Sequence, residues 1–286
     1  MRFYFARADY KAASFIILGI PFDRTSSFLP GTRFAVNNVR LGAENIETFS
    51  PYQNLSLPED KIFDAGDLLP EMPPEEFFKL VEERVSSFLS DKKKVLSIGG
   101  EHTISLPCVQ AYKKFYPDLI LVHLDAHSDM RDEYLGEKIC HATVMRRIQE
   151  VVGEEGIFSF GIRSLTEECR KRHKNLYPFR VLEPLLALKE RLRGRPIYLT
   201  LDLDILDGCL FPAVSTPEPN GIFFAELLAA IKELAHLTLV GADIVEYNPL
   251  SNPSLAYAVG VSLLVREIIL AYFNRGVNEK NVFLGR

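Results

Sequence analysis

The strongest constraint on this chain is a recurrence of short apolar runs, each followed by a stretch with helical periodicity. The runs cover residues 15–20, 61–64, 95–98, 119–124, 157–162, 197–203 and 237–244. A strand with one wet face alternates apolar and polar residues, whereas a strand covered on both faces does not. Most of these runs are continuous, so they predict strands buried between two helical layers. Between them, Pro73-Pro74 opens a helix in which Phe78, Val81, Val85 and Phe88 recur three and four residues apart. Proline is tolerated in a first turn, which makes that boundary reasonable. Residues 142–152, 182–192, 223–234 and 255–272 read the same way, with Gly276 closing the last. Alternation along the whole length predicts one α/β domain, residues 1–286, with a mostly parallel sheet. Such sheets bind ligands beyond the carboxyl ends of their strands.

Composition narrows the function classes. A chain of 286 residues that is 47% hydrophobic can bury a large core without disulfide or metal staples. Its net charge of −5 speaks against a nucleic-acid footprint and suits an anionic pocket for a cationic ligand. No uninterrupted apolar run approaches the ~20 residues of a membrane span. The greasiest stretch, 259–273, carries Arg266 and Glu267 and reads as a buried helix. Residues 1–11 have no signal-peptide apolar region. Cys108, Cys140, Cys169 and Cys209 are scattered, which predicts free thiols in a reducing, cytoplasmic setting.

Four strand ends carry the unusual residues. Gly99-Gly100-Glu101-His102 follows 95–98. Asp125-Ala126-His127-Ser128-Asp129 follows 119–124. Asp202-Leu203-Asp204 ends 197–203, and Glu246 follows 237–244. Side chains two apart in an extended segment point the same way, so each Asp-containing motif is expected to aim its polar groups into one space. Four converging carboxylates repel, and some would protonate without counter-charge. Two divalent cations neutralise the four negative charges, which favours a two-metal site over one metal or none. Four Asp and two His, with no Cys, suit Mn²⁺, while zinc, iron, cobalt and nickel stay open. His123 shares a side with Asp125 and reads equally as a neighbour of the cluster or a core residue. His173 and His236 read as surface residues.

These motifs, in this order and spacing, resemble the ureohydrolase family of binuclear manganese enzymes that includes arginase and agmatinase. Pro30-Gly31-Thr32-Arg33-Phe34, Gly161-Ile162-Arg163-Ser164 and Thr216-Pro217-Glu218-Pro219 look more like the agmatinase branch. The resemblance covers nearly the whole chain. It implies a three-layer α/β/α sandwich around an eight-stranded, mostly parallel sheet. It implies two Mn²⁺ per subunit, one held by His102, Asp125, Asp129 and Asp202, the other by Asp125, His127, Asp202 and Asp204. A bridging hydroxide oriented by Asp129 is implied as the nucleophile. Glu246 is expected to orient a planar guanidinium, and His141 to protonate the leaving amine. Thr216, with Glu246 and His141, is expected to contact the substrate. Relatives imply a homo-oligomer, trimer or hexamer.

The expected substrate is agmatine, cleaved to putrescine and urea. Arginase-type recognition of a carboxylate uses polar residues two and four before the catalytic His, where this chain has Ile139 and Glu137. Arginase, guanidinobutyrase and formimidoylglutamase activities are the near alternatives. A metallophosphoesterase would need Gly-Asn-His and Gly-His-x-His segments, and neither occurs. A deacetylase-like enzyme would use one zinc and lack the second ligand set. A non-enzymatic metal-binding relative would be expected to have lost ligands. Departures from the family pattern at Asp207-Gly208, Val214-Ser215, Ala142 and Asp23-Arg24-Thr25-Ser26-Ser27 fall on pocket-rim loops.

Overall fold

The computed structural model describes residues 1–273. Strand β1 (Phe15–Ile20) leads to helix α1 (Ala35–Ala43) and a small antiparallel hairpin of β2 (Phe49–Ser50) and β3 (Leu55–Ser56). Then come β4 (Ile62–Asp67), α2 (Pro74–Ser90), β5 (Lys94–Gly99), α3 (Ser105–Phe115), β6 (Ile120–Leu124) and α4 (Val144–Val152). The chain continues through β7 (Ile157–Ile162), α5 (Glu167–Arg172), β8 (Asn175–Pro178), α6 (Leu182–Leu192) and β9 (Ile197–Asp202). The last described elements are α7 (Phe224–Leu234), β10 (Leu239–Val245) and α8 (Leu255–Phe273). The expected helix end at Gly276 lies outside the described residues.

Eight strands form one sheet in the order β4-β1-β5-β10-β9-β6-β7-β8. All their pairings are parallel. The apolar runs sort onto the two faces by alternation. Phe15 and Ile17, Leu96 and Ile98, and Val122 and Leu124 pack with Val36 of α1, Leu185 of α6, Leu227 of α7 and Leu264 of α8. Ile16, Leu18, Val95 and Leu121 pack with Phe77 and Val81 of α2, Val109 of α3 and Ile148 of α4. The result is the expected three-layer α/β/α sandwich.

Some elements escape the sequence pattern. Strand β8 is a four-residue edge strand ending in Pro178, which edges tolerate and central strands do not. Helices α1 and α3 are short, and α3 carries Pro107 in its first turn, where no hydrogen bond is lost. Strand β9 stops at Asp202, one residue early, because the chain turns into a 3₁₀ segment at Leu203–Ile205. Helix α8 is long and apolar enough to cross a membrane by composition, yet 67% of that window is buried within the protein. Its Arg266 and Glu267 are buried and paired at 2.8 Å.

His173 corrects an expectation. It follows α5 and is only 7% exposed, rather than lying on the surface as His236 does. Burial, reinforced by the nearby His123, lowers its imidazole to about 4, against a hydrogen bond to the Ser128 backbone. The folded protein therefore resists a proton that the unfolded chain accepts near pH 6.5. Stability from this group is full above about pH 6.5 and is lost as pH falls toward 4, by about 3 kcal/mol in all. His173→Gln is expected to flatten the difference between urea midpoints at pH 7 and pH 5. Equal pH slopes in the two proteins would rule the effect out.

The joint between β1 and β5 sets the first wall of the site. Gly100 donates its N–H to the Ile20 carbonyl at 3.1 Å, and Glu101 donates to the Phe22 carbonyl at 2.7 Å. A Cβ on residue 100 would lie 1.8 Å from the Phe22 oxygen, so only glycine permits this backbone contact. Gly100→Ala is expected to cost about 2 kcal/mol or more of unfolding free energy, as overpacking does. Urea denaturation at the wild-type midpoint would show that the joint tolerates a side chain.

Candidate active site

The polar residues from four strand ends meet above the middle of the sheet, where β5, β10, β9 and β6 are neighbours. His102 comes from the 3₁₀ turn after β5, Asp125 directly follows β6, and Asp202 is the last residue of β9. Strand alternation does not make the convergence, as the sequence had suggested. Asp204 sits in the 3₁₀ turn, where its N–H donates to Asp202 Oδ1 at 2.9 Å. Asp129 adopts φ of +48°, which folds the loop after β6 back over the cluster. The Asp129 carbonyl accepts the N–H groups of Met145 and Arg146, two of the otherwise unpaired donors opening α4.

All six expected ligands are brought together. His102 Nδ1 lies 3.1 Å from Asp125 Oδ2, 3.2 Å from Asp129 Oδ2 and 3.2 Å from Asp202 Oδ2. That nitrogen is buried and has no well-aligned hydrogen-bond partner among the described residues, while His102 Nε2 is bonded to Thr200 Oγ1 at 2.9 Å. Three carboxylate oxygens around one unpartnered imidazole nitrogen are a donor set that fits a divalent cation. On the other side, His127 Nδ1 is 2.8 Å from Asp204 Oδ2 and 3.7 Å from Asp125 Oδ1. Asp125 thus turns one oxygen to each histidine. Donor atoms of Asp125, His127 and Asp204 fall within 4.8 Å of one another, as do those of His102, His123 and Asp125. His123 has both ring nitrogens engaged, Nδ1 with Ser159 Oγ at 3.0 Å and Nε2 with Asp125 Oδ2 at 2.7 Å.

Charge crowding is written into the acidities. Burial, then the charges of Asp204 and Asp125, push the Asp202 carboxyl well above its usual range. Burial raises Asp204 as well, opposed by His127. Asp125 is pulled well below its usual range: burial opposes this, but the surrounding histidines outweigh it.

A cavity of ≈ 250 Å³ opens onto the cluster, lined in part by His127, Asp129, His141, Asp202, Asp204, Thr216 and Glu246. Glu246 is 5% exposed; its Oε1 accepts the His102 N–H at 2.8 Å, and its Oε2 has no partner among the described residues. Burial and the neighbouring Glu101 push its carboxyl up to about 8. His141 opens the 3₁₀ turn before α4, and burial lowers its imidazole from the ordinary value. The Thr216 hydroxyl donates to Asp204 Oδ2 at 3.3 Å. Glu137 does not line this cavity. It faces a neighbouring depression beside Arg24 and Leu135, because the loop turns outward at Leu135 and Gly136. Arg131 lines the cavity instead, with its guanidinium 5.2 Å from the Tyr134 ring centroid.

Several supporting residues carried no role in the sequence reading. Arg163 donates to the carbonyls of Asp204, Leu206, Glu218 and Pro219 at 2.7, 3.2, 3.0 and 2.9 Å, riveting the loop that bears Asp204. Thr200 links His102 to buried Asp243, donating to its Oδ1 at 2.6 Å. Thr25 and Ser27, on the loop after β1, both reach the His141 ring. The rule that parallel strands present function at their carboxyl ends points to that hydroxyl-rich loop too.

Comparison with known proteins bears on the family and the fold. The model of the Arginase family matches residues 13–270. An agmatinase of Halalkalibacterium halodurans is 39% identical, covering 94% of this chain and 96% of its own. An agmatinase of Bacillus cereus is 40% identical, covering 92% and 93%. The crystal structure of agmatine ureohydrolase of Thermoplasma volcanium superposes with a TM-score of 0.88 at 31% identity, over 97% of this chain and 96% of that one. The chain therefore belongs to the arginase family and is a hydrolase of amidino carbon–nitrogen bonds.

Proposed function

We propose that the protein is a binuclear manganese agmatinase, hydrolysing agmatine to putrescine and urea. The observation that carries this reading is Glu246 Oε2, a buried carboxylate oxygen without a partner among the described residues, on the cavity wall beside the Asp–His cluster. A guanidinium is a planar, resonance-stabilised cation whose N–H groups pair well with a carboxylate. Its approach would favour the ionised form of Glu246 against the burial that raises its acidity constant.

In this reading His102, Asp125, Asp129 and Asp202 would hold one cation, and Asp125, His127, Asp202 and Asp204 the other. Two such ions, when bound, supply a hydroxide nucleophile at neutral pH and a counter-charge for the four carboxylates. The rest falls to the chain. Glu246 turns the guanidinium carbon toward the cluster. Asp129 accepts the proton of the attacking hydroxyl at its carboxylate and passes it to the leaving nitrogen, so that the amine departs as the neutral molecule. His141 then protonates the freed amine. Thr216 holds Asp204 through its hydroxyl and borders the substrate.

Agmatine is favoured by relatives named agmatinase at 39% and 40% identity. Ile139 offers no hydrogen bond to an amino-acid carboxylate. One observation favours a second substrate of the same reaction class: Arg131 on the cavity wall would pair with the tail of a guanidino acid such as 4-guanidinobutyrate. Free thiols support a cytoplasmic setting, and a homo-oligomer, trimer or hexamer, is proposed from the family resemblance.

Urea release from manganese-loaded protein, measured with agmatine, arginine and 4-guanidinobutyrate side by side, tests the assignment. Agmatine is expected to have the highest kcat/KM; a higher value for arginine overturns the substrate, and no urea from any overturns the function. Asp125→Asn and Asp202→Asn are each expected to abolish turnover and weaken binding of both ions, read by elemental analysis. Glu246→Gln is expected to lower kcat/KM by about 100-fold, as loss of a charge-matched orienting group does, with metal content unchanged. Retained kcat/KM in that variant would remove Glu246 from guanidinium recognition.

A further inference from the structure

We propose that Thr25, clamped by Glu101, is the positioning residue for His141 and fixes which ring nitrogen of that histidine carries the proton. The proposal rests on the reading of His141 as proton donor given above.

The argument is an accounting of donors and acceptors. Glu101 is buried, and its Oε2 accepts the Thr25 N–H at 2.9 Å. A backbone N–H can only donate, so that end is fixed. Glu101 Oε1 receives the hydroxyls of Thr25 at 2.5 Å and Thr103 at 2.7 Å. While Glu101 is ionised, against a burial that raises its carboxyl to about 7, the single hydroxyl proton of Thr25 is committed to it, and the Thr25 oxygen faces the rest of the site as an acceptor. It faces His141, from which it takes the backbone N–H at 3.2 Å and lies 3.5 Å from Nδ1. An oxygen whose proton points away can only accept from Nδ1. Nδ1 then carries the resting proton, and Nε2 is left toward the cavity, 3.1 Å from Ser27 Oγ. That is the nitrogen on the side where a leaving amine would be protonated.

The loop bearing Thr25 is not free to follow the ring. Arg24 donates to the carbonyls of Met72 and Pro70, and Asp23 Oδ2 accepts the N–H groups of Gly31 and Arg33. Other charges bear on His141 as well. Asp129 favours its protonated form, while burial, His127 and His102 oppose it. Tyr134 meets the ring edge-on at 5.9 Å between centroids. The carboxylate–hydroxyl–imidazole series adds a directional contact to this background, in the way a carboxylate behind a histidine selects its tautomer.

The test uses the full-length, metal-loaded protein with Thr25→Val, which removes the hydroxyl at nearly constant volume, and Thr25→Ser, which restores it. Two quantities are read. One is urea release from agmatine. The other is the rate at which diethyl pyrocarbonate modifies His141, followed by peptide mass spectrometry across roughly pH 5 to 9, which reports the neutral imidazole. Thr25→Val is expected to lower kcat about 10- to 100-fold with KM and metal content near wild type. Its modification midpoint is expected to move to lower pH by about half a unit or more. Thr25→Ser is expected to recover both. The proposal is overturned if Thr25→Val keeps the wild-type kcat, if kcat falls without a shifted midpoint, or if Thr25→Ser is as impaired as Thr25→Val. Should the wild-type protein release no urea, the functional reading fails, while the modification midpoint still decides whether Thr25 governs the ring.

Discussion

Four aspartates share a space that water scarcely reaches, and the rest of the architecture answers to that crowding. Asp125, Asp202 and Asp204 are almost completely buried, and Asp129 leans over them. Ionised carboxylates removed from water cost several kcal/mol each unless opposite charge and hydrogen bonds replace the lost solvent. Histidines on two sides and backbone N–H groups at Ala126, His127 and Asp204 provide part of that replacement. Divalent cations suit the remainder, which is why an oxygen-rich pocket with so little solvent is a catalytic resource rather than a folding defect.

The parallel sheet makes this arrangement repeatable. Its four central strands bring their carboxyl ends side by side, and each contributes one polar segment. Behind the cluster every imidazole is braced. His102 leans through Thr200 on Asp243, which also accepts the Tyr198 hydroxyl at 2.7 Å. His127 presents Nε2 to Glu218 at 3.4 Å, leaving Nδ1 turned inward. Partners of this kind fix ring orientation and the tautomer offered to an ion.

The fold was largely legible in the sequence because its strands are buried on both faces and so read as unbroken apolar runs. The elements that escaped were short or peripheral: β8 at the sheet edge, the two-residue strands β2 and β3, and the helices α1, α3 and α5. The cluster was legible because Asp-x-His-x-Asp and Asp-x-Asp are too costly to occur together without compensation. The reason for their convergence was not legible. Strand alternation was expected, whereas a 3₁₀ turn at Leu203–Ile205 and a left-handed Asp129 do the work. His173 went astray because the helix it follows, Glu167–Arg172, is too short and charged to show in the pattern which way the next side chain turns.

Asp129 joins two parts of the molecule through a single residue. Its carboxylate belongs to the cluster, while its carbonyl seats the opening turn of α4, just after His141. The left-handed backbone of this one residue therefore sets both where the carboxylate stands beside His102 and where the helix begins, so a substitution that changes its backbone conformation displaces the two together.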